Sequence, residues 1–300
     1  MRGLVENLWQ QYLRRVPYAR GYADMVSAHG GKVVHDHIAF RTFNTNTGEQ
    51  PSGILAFGHL LGILNYRKAG KYKFPKMMAT AVHYEHPDPL LPKIFVSQLE
   101  VAELPEWAQH IIRGLVAEAP YLLSDEAIEL MNILGDQGFI NNEAAGILIE
   151  EITGYFRRPW KLPLREDLLK INDISQYAAW TLLHGNSVNH FAAFINLQNV
   201  AGWPDIETTC RAMAAAGIPM KEKIEGEIGS ILRQSATQAV KEIISFRGEN
   251  GEIEDMPWTY AYYEFTERGY VISDEGEKLF TGFIADQATH FFRMTETREN

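Results

Sequence analysis

Asp36-His37-Ile38-Ala39-Phe40 and Asn189-His190-Phe191-Ala192-Ala193 share one pattern, a polar residue, a histidine and then apolar residues, at two distant places in the chain. Each stretch opens a run that reads as strand, helix and then three strands. The two runs also end alike, in aromatic strands that carry polar residues: Phe95-Val96-Ser97-Gln98-Leu99-Glu100 and Tyr262-Tyr263-Glu264-Phe265-Thr266-Glu267. An internal repeat fixes the architecture before any single motif does. This one predicts an α+β fold built from paired βαβββ units, with a sheet that curves around a shared site.

Working outward, the first unit covers 32–104 and the second 185–280, within a single catalytic domain of 1–300. Residues 4–30 read as a helix from the spacing of Leu4, Leu8, Tyr12 and Leu13, ended by Gly30-Gly31. Lys32 to Phe43 changes to a two-residue period. A loop from Asn44 to Pro51 leads to a helix over 52–64, then to strands at 72–74, 77–84 and 94–101. The block 105–180 reads as successive helices and is expected to be a helical insertion. Ser124, followed by Asp125 and Glu126, caps one of them. In the second unit a strand over 188–196 precedes a helix from Pro204 to Ala216, stopped by Gly217 and Pro219. Strands are expected at 230–238, 242–246 and 258–266, with a turn at Asn250-Gly251.

Composition narrows the function classes. With 300 residues and 46% hydrophobic content, the chain can bury a core without disulfides, and its one cysteine, Cys210, reads as a buried helical thiol. A net charge of −10 argues against a nucleic-acid partner. No apolar run reaches membrane-spanning length and no signal peptide opens the chain, so a cytoplasmic monomer or homodimer is expected.

The repeat also points to chemistry. If the two first strands face each other, His37 and His190 converge, and the last strand of the second unit brings Glu264 to them. Two imidazoles and one carboxylate with open positions form the facial arrangement of non-haem Fe(II) oxygenases, and the same donors accept Zn(II) or Mn(II). In strands alternate residues share a face, so His35, His37, Ala39, Arg41 and Phe43 are expected together. His35 therefore competes with His37, and only the alignment with His190 favours His37. His184 falls in a turn before the strand. Strand alternation puts Tyr260, Tyr262 and Glu264 on one face and Glu267 on the other. Arg41 is expected to grip a substrate carboxylate in a bidentate pair.

On these residues the chain resembles the 2-oxoadipate dioxygenase/decarboxylase family of the vicinal-oxygen-chelate (glyoxalase-like) superfamily. The resemblance lies in His37-Ile38-Ala39-Phe40-Arg41, Asn189-His190-Phe191, Leu232-Arg233-Gln234-Ser235 and Tyr263-Glu264-Phe265, and covers roughly residues 30–280. The last segment is also similar to the corresponding strand of 4-hydroxyphenylpyruvate dioxygenase. The resemblance implies Fe(II) held by His37, His190 and Glu264, and a 2-oxo acid that chelates it. It implies reaction with O2 that turns 2-oxoadipate into 2-hydroxyglutarate and CO2, a step of lysine degradation. It adds Gln234 and Ser235 as substrate-binding candidates. The chain is shorter than bacterial members of the family, which leaves its substrate more open than its metal site.

Two other classes remain open from sequence. A glyoxalase-type isomerase or lyase would use a fourth protein ligand, expected near Gln98 or Glu100, to complete a Zn(II) or Ni(II) site. A binding protein that sequesters a small acid would keep the fold without turnover.

Overall fold

The computed structural model describes residues 1–48, 52–273 and 276–297. The end of the expected loop at Pro51 lies outside these residues. The N-terminal segment forms two helices, α1 (Arg2–Arg15) and α2 (Pro17–Ala28), where the apolar spacing predicts one. Pro17 is the reason. It lacks an N–H and opens α2 at the first helical position, and it drives Val16 out of the helical region to φ −118°.

The first unit follows as β1 (His35–Phe43), α3 (Ile54–Ile63), β2 (Arg67–Phe74), β3 (Ala79–Glu85) and β4 (Lys93–Leu99). Five helices come next: α4 (Glu106–Val116), α5 (Asp125–Gln137), α6 (Asn142–Tyr155), α7 (Arg165–Ile174) and α8 (Gln176–His184). Ser124 caps α5 as expected, its hydroxyl accepting from the Ala127 N–H at 3.1 Å. The second unit contains β5 (Val188–Phe194), α9 (Ile206–Ala215), β6 (Leu232–Ala236), β7 (Lys241–Arg247), β8 (Ile253–Thr259) and β9 (Glu264–Arg268). Asp205, not Pro204, caps α9, and Gly217 closes it at φ +81°, a conformation open to glycine without strain. The chain ends with the hairpin β10 (Tyr270–Ser273) and β11 (Gly276–Leu279) and then α10 (Ala285–Phe292).

Seven strands form one sheet in the order β2-β3-β4-β1-β5-β9-β6. The central pair β1·β5 is antiparallel, and each member is flanked by a parallel partner, β4 beside β1 and β9 beside β5. This is the approximate two-fold relation that the repeat predicts. The second unit departs from the first in two ways. The expected strand at 242–246 is not in the seven-stranded sheet: β7 and β8 form a two-stranded ladder of their own, a hairpin inserted between β6 and β9. The expected strand at 258–266 is two strands, because β8 ends at Thr259 and β9 begins at Glu264. Outside β6 lie only isolated bridges, Met220 with Thr237 and Glu225 with Gln234.

Both faces of the sheet are buried at its centre: every residue of β5 and all of β1 after His35 are buried. Ile38, Phe40, Phe191 and Phe265 pack with α1, α2, α3 and α6. Ala39, Phe43, Phe95 and Leu99 face the other way, toward α4, α7 and α8. Every residue of α8 after Gln176 is buried. Among the described residues no helix is long and apolar enough to cross a membrane.

Phe57 joins α3 to β1 and α6, with its ring 5.5 Å from Phe40, 5.9 Å from Tyr155 and 6.3 Å from Phe156. Phe57→Ala is expected to lower unfolding stability by about 3–5 kcal/mol, read as a shifted urea midpoint at unchanged slope.

Candidate metal centre

The β1·β5 pair brings His37 and His190 together, with Nε2 atoms 3.2 Å apart. Glu264, at the start of β9, places Oε1 3.6 Å from His37 Nε2 and Oε2 3.3 Å from His190 Nε2. One ligand atom from each of the three residues lies within 4.8 Å of the others, and all three residues are buried. Ligands about 2.1 Å from a metal and at right angles to one another stand about 3 Å apart, so the spacing is that of a facial site.

The tautomers of the two rings bear on what can sit there. His37 Nδ1 donates to Asp36 Oδ2 at 2.8 Å, and His190 Nδ1 donates to Asn189 Oδ1 at 3.0 Å. A carboxylate and an amide oxygen are acceptors only. Each Nδ1 therefore carries a ring hydrogen, and each ring turns Nε2 to the shared point. With the Glu264 carboxylate, three atoms able to ligate a metal converge there. A metal cation satisfies that arrangement, and the donor set suits Fe(II), Zn(II) or Mn(II). Burial pushes the His190 imidazole well below its ordinary pKa, with His37 and Arg41 adding to the effect, so the ring stays neutral. Burial raises the Glu264 carboxyl above its usual range, opposed by nearby His37 and by hydrogen bonds from Thr266 and Gln234.

Two irregularities in the strands make this geometry. The β1·β5 register shifts between His35 and His37, which leaves Asp36 as an extra residue, and again where Ala39 and Phe40 pair with His190 and Val188, which leaves Asn189 as one. A β-bulge abolishes strict alternation and re-aims side chains. It lets the residue before each histidine reach round to that ring's Nδ1. It also corrects the expectation that His35 shares the site face. The His35 ring lies 4.6 Å from Trp9 and 4.8 Å from Phe191, in the core on the opposite face, where burial lowers its pKa to about 3. His184 is likewise a core residue, packed on Trp180 and Tyr260.

Asp36 does more than orient His37. Its Oδ1 accepts from Arg268 Nε at 2.6 Å and its Oδ2 from Arg268 Nη2 at 2.8 Å, with both side chains inaccessible to solvent. Burial opposes the Asp36 charge, yet the Arg268 guanidinium and the His37 hydrogen bond hold its carboxyl far below the usual range. A fixed anion behind a ligand imidazole makes that ligand more basic and fixes its orientation.

Gln234 lines the cavity, but its Nε2 donates to Glu264 Oε1 at 2.6 Å, and Thr266 Oγ1 donates to the same oxygen at 3.0 Å. Its amide donor thus orients the carboxylate and is not free for substrate. Ser235 is a correction. It lies on the other face of β6, where its hydroxyl approaches Cys210 of α9, outside the cavity. Gln98 accepts the Ile54 N–H at the start of α3, and Glu100 binds Thr80 and Asn44, so neither approaches the cluster. The position related to Glu264 by the two-fold is Phe95: Ala192 pairs with Glu264 as Ala39 pairs with Phe95. The first unit therefore offers a phenyl ring where a fourth ligand would stand.

Arg41 opens into the same cavity, 2% exposed. Its guanidinium lies 5.0 Å from the Tyr177 ring, 5.0 Å from Trp180 and 5.5 Å from Phe292. Its hydrogen bond, Nη2 to the Phe292 carbonyl, is long at 3.4 Å, and Nε is buried without a partner. Burial lowers its pKa.

Tyr262, expected on the face of Glu264, stacks on His190 at 4.8 Å, fixed through its carbonyl by the Tyr12 hydroxyl. Its expected companion Tyr260 points instead into the core, donating to the Val188 carbonyl at 2.8 Å. Phe283 meets the His37 ring edge-on at 4.9 Å, and with Phe291 and Phe292 it roofs the cavity. The only available signal was the aromatic density of 280–292, which follows the repeat and matches nothing within it. The free space in this half-open cavity is about 40 Å³, room for a few waters.

The family model for 2-oxoadipate dioxygenase/decarboxylase matches residues 4–299. The chain belongs to that family. A chloroplastic/amyloplastic 2-oxoadipate dioxygenase/decarboxylase of Oryza sativa subsp. japonica is 25% identical over 89% of this chain and 68% of its own length. Among solved structures, a protein of Ralstonia eutropha assigned to the glyoxalase superfamily is 28% identical, with a TM-score of 0.85 over 94% of this chain and 85% of that one. The hydroxyglutarate synthase of Oryza sativa, crystallised with 2-oxoadipate, has the same fold. It superposes with a TM-score of 0.75 at 22% identity, over 98% of this chain and 91% of that one.

The geometry predicts one Zn(II) or Co(II) per chain by titration. Uptake should be lost in His37→Ala and His190→Ala and kept in His35→Ala and Glu100→Ala. Asn189→Leu removes the acceptor behind His190 and is expected to weaken binding by about 10–100-fold.

Proposed function

We propose that this chain is an Fe(II)-dependent dioxygenase that converts 2-oxoadipate and O2 to 2-hydroxyglutarate and CO2, with His37, His190 and Glu264 as the ligands. The observation that carries the reading is one cavity that holds three convergent acceptors and a buried cation without a counter-anion. Among the described residues that line it, Arg41 is the one lysine or arginine. Leaving a guanidinium buried and unpaired is costly, and a bidentate carboxylate is its natural complement. A ligand that serves both ends is a dicarboxylate with a chelating group at one of them. A 2-oxo diacid meets that description.

Bound iron supplies a template and Lewis acid for the 2-oxo carboxylate and a binding position for O2. The rest is the work of the chain. Asp36 and Asn189 hold Nδ1 of each imidazole and keep its Nε2 aimed at the shared point. Gln234 and Thr266 hold the Glu264 carboxylate in one rotamer. Arg41, stacked between Tyr177, Trp180 and Phe292, takes the distal carboxylate and fixes the register of the substrate. Phe95, Phe283, Phe291 and Phe292 exclude bulk water from the reacting end. Phe95 at the two-fold position of Glu264 disfavours the glyoxalase-type alternative, which uses a fourth protein ligand there.

Anaerobic loading with Fe(II), followed by 2-oxoadipate in aerated buffer, is expected to consume O2 and release CO2 one for one, with His190→Ala inactive. Absence of O2 uptake by an Fe(II)-loaded protein would exclude the reading. Arg41→Met is expected to raise KM for the diacid by about 100-fold, the scale of a lost buried charge pair. It should leave the monoacid 2-oxohexanoate little affected, so that the preference for the diacid collapses.

A further inference from the structure

Arg268 has no part in the metal set or in the proposed grip on substrate, yet its side chain has no solvent exposure and its donors reach two different parts of the molecule. Through Nε and Nη2 it clasps Asp36, the carboxylate that orients His37. Through Nη1 it donates to the Phe280 carbonyl at 3.0 Å and the Gly282 carbonyl at 2.7 Å. Those carbonyls belong to the short segment that leaves β11 and launches α10. The next residue, Phe283, lies under the guanidinium at 5.2 Å and against the His37 ring at 4.9 Å. Its N–H is held by the Tyr72 hydroxyl at 3.1 Å. The roof of the cavity is thus fastened to the same guanidinium that holds the orienting carboxylate of one metal ligand.

The free space of about 40 Å³ in this half-open cavity is too small for a six-carbon diacid, so its lining has to move for substrate to enter, and apart from Tyr262 the roof is the part of that lining outside the sheet. Lifting it takes two carbonyl acceptors from Arg268 and admits water to the Asp36 pair. A hydrated ion pair is held less firmly than a buried one, and the loss passes directly to His37 Nδ1. We infer that Arg268 is a positioning residue that couples closure of the segment 280–292 to the hold of His37 on the metal. The other imidazole is oriented by Asn189 from within β5 and meets the roof through ring packing alone, Tyr262 on His190 and Phe291 on Tyr262. This inference rests on the metal-site reading above.

Coupling of this kind is reciprocal: if closure strengthens metal binding, metal binding strengthens closure by the same factor. The test is hydrogen exchange of the amides in 280–292, with and without saturating Zn(II), alongside Zn(II) affinity measured by competition with a chromophoric chelator. In the unaltered protein, Zn(II) is expected to slow exchange of this segment by about tenfold. Arg268→Lys keeps a charge for Asp36 but lacks the fork to reach both carbonyls. It should lose the Zn(II)-dependent slowing and about tenfold in affinity together. Asp36→Asn keeps an acceptor for His37 but turns an amide donor toward Arg268, and should lose the slowing as well. Asn189→Leu is the control, since it should bind Zn(II) more weakly yet still slow exchange at saturation.

Zn(II) binding to the unaltered protein without any change in exchange over 280–292 would overturn the inference and leave the metal site standing. Slowing retained in Arg268→Lys would also overturn it. Failure of the unaltered protein to bind Zn(II) would remove the metal-site reading itself. Should the Arg268 and Asp36 variants not fold, the unaltered protein and Asn189→Leu still decide. Slowing in both supports the coupling, and its absence in either rejects it.

Discussion

Two imidazoles with their Nε2 atoms turned on each other, and a carboxylate closing the triangle, make a buried set of donor atoms whose natural complement is a cation between them. That constraint organises much of what surrounds the site. The side chains behind the ligands act as acceptors toward the rings (Asp36, Asn189) and donors toward the carboxylate (Gln234, Thr266). Each commits the outer atoms of a ligand and leaves the inner ones facing inward. The ion pair of Asp36 with Arg268 is fully desolvated, a costly arrangement that only excellent geometry offsets. Its place directly behind a ligand gives it a use beyond stability.

The paired units supply symmetry where the fold needs it and break it where the chemistry does. β1 and β5 contribute equivalent histidines, and both carry a bulge beside them. From there the halves diverge. The second unit places Glu264 where the first places Phe95, so a carboxylate faces a phenyl ring across the site. One side offers a donor and the other a shield. Among the described residues that line the cavity, Arg41 is the one lysine or arginine.

Much of this was legible in the sequence for a simple reason. Repetition survives in residue types that a strand needs on both faces, so Asp36-His37 and Asn189-His190 could be aligned without knowing the backbone. The parallel placement of β9 beside β5 then made Glu264 the third partner. Alternation failed where the strands are irregular. The bulge at Asp36 turns His35 to the opposite face, and the break between Thr259 and Glu264 separates Tyr260 from Tyr262. Neither leaves a mark in composition. Ser235 was carried along by its neighbour Gln234, although adjacent residues of a regular strand point apart. The β7–β8 hairpin reads as ladder strands because the same β-branched and aromatic residues suit either setting. The roof over 280–292 lies beyond the repeat, so nothing in the repeat could announce it.

α8 bears on how such a chain can change over generations. It is the last of the five helices between the two units, it is buried on every side, and its Tyr177 and Trp180 flank Arg41. Trp180 also donates to the Tyr260 carbonyl at 2.7 Å, tying the helix to the second unit. A segment that enters the sequence like an insertion is therefore built into the wall of the cavity. Deleting it would strip the cation of its aromatic bed and open the sheet to water in the same step. A chain that keeps the arginine in this setting needs the helix, and the block is part of the site and not an ornament upon it.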